Sequence, residues 1–138
     1  MSRRKLQALS RDRLADARAL LHARRYSAAY YIAGYAVECA LKACITKRVN
    51  RHVFPDKKLA GDSYTHNLED LVDVAHLKAG LKAAFAADAL FKENWSVVCA
   101  WSVDDRYEPD ISRDDALGLY KAITKRRTGV MRWIRSQW

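Results

Sequence analysis

Glu38 and Lys42 stand four residues apart in the most apolar stretch of this sequence, Ser27 to Ile45. On an α-helix that spacing puts both side chains on one face. If exposed, they form an ordinary intrahelical ion pair worth about 0.3–0.5 kcal/mol. If buried, Glu38 needs a strong partner, because a lone carboxylate in apolar surroundings is costly. Arg106 and His66 are the candidate partners, and the arginine fork suits a carboxylate best. Arg106 is followed by Tyr107, which opens a second chemistry. A guanidinium holds phosphate and a tyrosine ring stacks on a base, so the pair is a candidate nucleotide contact. The competing reading is a structural arginine tying its loop to Glu38 or to helix ends. His66 precedes Asn67 and either packs at a helix entry or acts as a general base, although no nucleophile adjoins it.

Other reactive residue types give weaker patterns. Asp104, Asp105, Glu108 and Asp110 lack the glycine and closing glutamate of a calcium loop, so a solvated acidic loop is expected and no metal. Lys121, Lys125, Arg126, Arg127, Arg132 and Arg135 decorate the last helical segment, either as a ridge facing RNA or as a solvated face. Cys39, Cys44 and Cys99 sit inside apolar helical patterns and read as reduced core thiols. There is no glycine-rich phosphate loop, metal-spaced Cys/His set or Ser-His-Asp arrangement. No catalytic residue is assigned and no cofactor is expected.

The elements that must position these residues are helices. Ser27 to Ile45 is rich in alanine and apolar almost all round, as a central helix or one shared with a partner would be. Ser27 is its expected N-cap. Arg11 to Ala23 carries Leu14, Ala17, Leu20 and Leu21 at helical spacing, with Ser10 as the expected cap. Residues 49–64 read as a loop around Pro55 and Gly61. A third helix is expected over Asn67–Leu77. After Gly80 a fourth covers Leu81–Trp101, with a break at Lys92–Asn94. Residues 102–110 read as a loop, and the last helix starts at Ser112 with Asp114 and Asp115 and runs to the C-terminus. The fold class is therefore all-α, one domain over residues 1–138, with residues 1–9 frayed.

The net charge is +9 over 138 residues, and it is unevenly placed. Residues 1–26 and 116–138 each carry +6, while the middle carries −3. Basic ends suit RNA, DNA or an acidic protein. The N-terminal segment lacks the parts of a signal peptide, and Glu38, Lys42 and three tyrosines argue against a membrane span, so a cytoplasmic, non-membrane protein is expected.

The string DARALLHARRYSAAYYIAGYAVECALKACI, followed by THNLEDL and WSVDDRYEP, resembles HEPN domains (higher eukaryotes and prokaryotes nucleotide-binding domains) over most of the chain. The resemblance implies an up-and-down bundle of four or five helices that forms a homodimer. It also implies membership among ribonuclease toxins, partners of small nucleotidyltransferases, and noncatalytic binding modules. The ribonuclease members carry Arg, four to six residues, then His. Here Arg106 sits where that arginine is expected, and no histidine follows it. Arg18–His22 and Arg48–His52 have only three residues between them. The expectation is a noncatalytic module for nucleotide, RNA or a partner protein such as a small nucleotidyltransferase. The alternative is a ribonuclease toxin with a degenerate site drawing on Arg106, Tyr107 and His66.

Overall fold

A computed structural model describes residues 1–48 and 57–138, and the first part of the loop expected over 49–64 lies outside them. The described residues hold eight α-helices, one 3-10 segment and no strand. In chain order these are α1 (Arg3–His22), α2 (Tyr26–Arg48), α3 (Lys57–Asp62), α4 (Leu68–Val74), α5 (Lys78–Ala87), α6 (Ala89–Cys99), a 3-10 turn (Val103–Tyr107), α7 (Arg113–Thr124) and α8 (Val130–Gln137).

Helix α2 runs through the middle. Twelve of its 23 residues are buried, and it packs against α1, α4, α7, α8 and the 3-10 turn. Its small residues make this possible. A Cβ on Gly34 would run into the Trp101 indole, so only glycine lets that ring lie against the helix. The apolar faces that suggested a partner are thus covered within one chain, and burial of α2 by itself requires no second copy.

Several boundaries differ from the sequence expectation. Helix α1 starts at Arg3, because Ser2 caps it and Leu6 is buried; residues 3–9 are helical. Ser10 is no cap: it is fully buried inside α1, and its hydroxyl donates to the Ala36 carbonyl of α2 at 2.8 Å. Ser27 lies one residue inside α2. Its hydroxyl donates to the Pro109 carbonyl at 2.8 Å and accepts from the Ile111 N–H at 3.2 Å. The fourth helix breaks at Asp88, whose carboxylate caps α6 by accepting from Leu90 and Phe91, and not at Lys92–Asn94. Gly80 lies within α5. The last helix splits at Lys125–Gly129, where a side chain on Gly129 would meet the Lys125 backbone. The caps Asn67 and Ser112 fall where the sequence puts them. No helix among the described residues is long and apolar enough to cross a membrane.

Candidate functional site

Two polar sites lie along α2, and Arg106 belongs to only one of them. Near the middle of the helix, Glu38 is 1% exposed. Its Oε1 takes the Lys42 ammonium at 3.1 Å and the His66 Nδ1 in a short contact. Lys42 arrives by helical spacing, and His66 is brought in by the turn that enters α4 at its Asn67 cap. Both contacts converge on one oxygen. Glu38 Oε2 is buried with no hydrogen-bond partner among the described residues. Sequence reasoning named Arg106 as the best counter-charge. The structure uses Lys42 and His66, because Arg106 is held near the start of α2 beside Tyr31, two helical turns away.

A file of aromatic rings joins the two sites. Tyr35 stacks on Tyr31 with ring centroids 6.4 Å apart, and Tyr31 stacks on Trp101 at 6.0 Å. Burial, together with the neighbouring Cys39 and Glu38, pushes the Tyr35 phenol up to about 12. Burial likewise pushes the Cys44 and Cys99 thiols up to about 12 and raises Cys39. None of the three is a thiolate nucleophile near neutral pH.

The second site is at the start of α2. Arg24 takes a left-handed backbone (φ 61°) that turns the chain from α1 into α2 within three residues. Across from it, the 3-10 turn is fixed by a capping box: the Ser102 hydroxyl accepts from Asp104 N–H, and Asp105 accepts from Ser102 N–H at 2.7 Å. Ser27 ties the following loop to α2. Between these parts lies a cleft of about 590 Å³ lined by Arg24, Arg25, Tyr31, Arg106, Tyr107 and Glu108, among others. The Arg106 guanidinium is exposed and sits 4.7 Å over the Tyr107 ring. Among the described residues no carboxylate lies within ion-pair distance of Arg24, Arg25 or Arg106.

A second cleft of about 370 Å³ adjoins the first through Tyr26, which lines both. Arg18, His22, Arg113, Tyr120 and Lys121 line it, and among the described residues no acid does. Of the basic ridge expected on the last helical segment, only Lys121 reaches this site. Lys125 and Arg126 lie in the turn after α7, and Arg132 donates to the Arg127 carbonyl at 3.2 Å. Arg135 lies over the Trp138 ring at 5.7 Å and Arg11 lies over the same ring at 5.0 Å. Sequence reasoning missed Arg18, His22, Arg24, Arg25 and Arg113. The signal was present: Arg18 and His22 share a helix face by i,i+4 spacing, and Arg24–Tyr26 is a basic-aromatic turn.

No family model, curated protein or solved structure matches the chain.

Proposed function

We propose that this chain is a noncatalytic, HEPN-like binding module whose basic end takes the phosphates and bases of a nucleotide or single-stranded RNA. One observation carries the reading. Two adjoining clefts gather Arg18, Arg24, Arg25, Arg106, Arg113 and Lys121 around Tyr26, Tyr31, Tyr107 and Tyr120, with Glu108 as the one acid in their lining among the described residues. Guanidinium and ammonium groups hold phosphate, and interleaved aromatic rings stack on bases without demanding a sequence. The noncatalytic part rests on chemistry. No histidine follows Arg106, and the thiols are held protonated by burial. The same family likeness supports a homodimer and a small nucleotidyltransferase as partner, and the reduced core thiols support a cytoplasmic setting.

A second reading, metal-independent RNA cleavage, is favoured by His22, which lines the second cleft beside Arg18, Arg113 and Lys121. A histidine among phosphate-binding cations is the arrangement a general acid or base needs.

Fluorescence anisotropy with a labelled single-stranded oligoribonucleotide, followed by a gel of the same sample, separates these readings. Binding weakened by Arg106→Ala and by Tyr107→Ala, unaffected by Arg135→Ala, with RNA intact, supports the module. Cleavage abolished by His22→Ala supports the enzyme. Equal weakening by all three binding variants would indicate diffuse attraction and refute a defined site.

A further inference from the structure

A third cleft lies away from the basic end, between α4 on one side and α5 with α6 on the other, with a volume of about 480 Å³. Its floor is apolar, built from Val72, Leu81, Phe85 and Trp95. Its rims have opposite signs. Helix α4 supplies Glu69, Asp70 and Asp73, while α5 and α6 supply Lys78, Lys82 and Lys92. Periodicity accounts for the acids: Glu69 and Asp73 are one turn apart on the face of α4 that Leu68, Leu71 and Val72 leave exposed. Lys78 and Lys82 repeat the same spacing on α5. None of these six side chains is ion-paired with another described residue, so the rims do not close on each other. Cys99, which also lines the cleft, lies against Glu69 and is held protonated chiefly by burial, so it adds no charge to the acid rim.

We infer that this cleft binds a short apolar peptide as a zwitterion, its ammonium on the α4 acids and its carboxylate on the α5–α6 lysines. Charge complementarity selects the occupant. A purely anionic or purely cationic molecule would satisfy one rim and face repulsion at the other. An apolar body suits the floor, whose aromatic rings continue beneath it into Phe91 and Trp133. An extended tripeptide carries its two terminal charges about 10 Å apart, whereas a free amino acid carries both on one carbon. The volume lies within the range of small-ligand sites, about 300–1,000 Å³.

The test uses the full chain and the tripeptide Leu-Ala-Phe in four forms: free, N-acetylated, C-amidated, and blocked at both ends. Isothermal titration calorimetry should find the free form bound about tenfold more tightly than either singly blocked form, and the doubly blocked form weakest. Asp70→Asn with Asp73→Asn should weaken the free form and leave the N-acetylated form unchanged. Lys78→Gln with Lys82→Gln should weaken the free form and leave the C-amidated form unchanged. These exposed, near-isosteric changes leave the helices intact, which circular dichroism verifies. Equal affinity for all four forms would mean an apolar groove indifferent to charge, and would overturn the proposal. So would absence of saturable binding of the free tripeptide at millimolar concentration, or losses in the variants that ignore which end is blocked. None of these outcomes bears on RNA binding at the basic end.

Discussion

Removing Lys42 should cost more than removing Lys42 and the charge of Glu38 together. The Lys42 ammonium lies 3.1 Å from Glu38 Oε1, and the carboxylate is 1% exposed. At an effective dielectric of about 20 the gross attraction at that distance is about 5 kcal/mol. Lys42→Met leaves a buried carboxylate with His66 as its one remaining partner, and an Oε2 already unbonded, among the described residues. Orphaning a buried charge costs about 3–5 kcal/mol. With His66 still in place, Lys42→Met should destabilise by about 2–4 kcal/mol. Lys42→Met with Glu38→Gln removes both charges and should recover at least about 1 kcal/mol of that loss. The assay is urea denaturation followed by far-UV circular dichroism on both variants and the unmodified chain. A loss below about 0.5 kcal/mol for Lys42→Met, or a double variant no more stable than the single one, would show that Lys42 does not hold a buried charge in place.

Gly34→Ala gains helix propensity of about 1 kcal/mol but drives a methyl into the Trp101 indole; it should destabilise by about 1–3 kcal/mol and shift tryptophan fluorescence. The Cys44 and Cys99 thiols, raised by burial to about 12, favour the protonated folded state, so stability should fall as pH rises from about 9 towards 12, by at most about 1.4 kcal/mol per pH unit for each thiol. An alkaline denaturation series checks the sign, and slow reaction of the native thiols with a disulfide reagent at pH 8 checks the protonation state. Ser27→Ala removes two hydrogen bonds to the loop after the 3-10 turn, and should cost about 1 kcal/mol in denaturation while weakening RNA binding at the first cleft.

Alanine content and helical spacing made the all-helical class and the central place of α2 legible, since no other segment is apolar on so many faces. The pairing of Glu38 with Lys42 followed from i,i+4 geometry, and His66 was named among its partners. Arg106 was misassigned because sequence gives residue type but not reach along a helix: chemistry favoured the arginine, and two turns of α2 separate it from the acid. The breaks at Asp88 and Gly129 were hidden by continuous apolar spacing on either side of them. The extension of α1 to Arg3 was hidden by a basic segment that looked solvated, although Leu6 anchors it. The first cleft was half visible, through Arg106 and Tyr107. Its other wall comes from the α1–α2 turn, some eighty residues earlier in the chain, and only folding brings the two together.

The salt dependence of single-stranded RNA binding reports whether the start of α2 holds phosphate. Each phosphate contact on a single strand contributes about −0.7 to the slope of log K against log salt. Substituting Arg24, Arg25 and Arg106 together with glutamine should therefore make the slope shallower by about 2 and weaken binding at low salt, whereas Arg132→Gln with Arg135→Gln should leave the slope unchanged. An unchanged slope in the triple variant, or an equal change in the α8 variant, would contradict a phosphate-binding site at the start of α2.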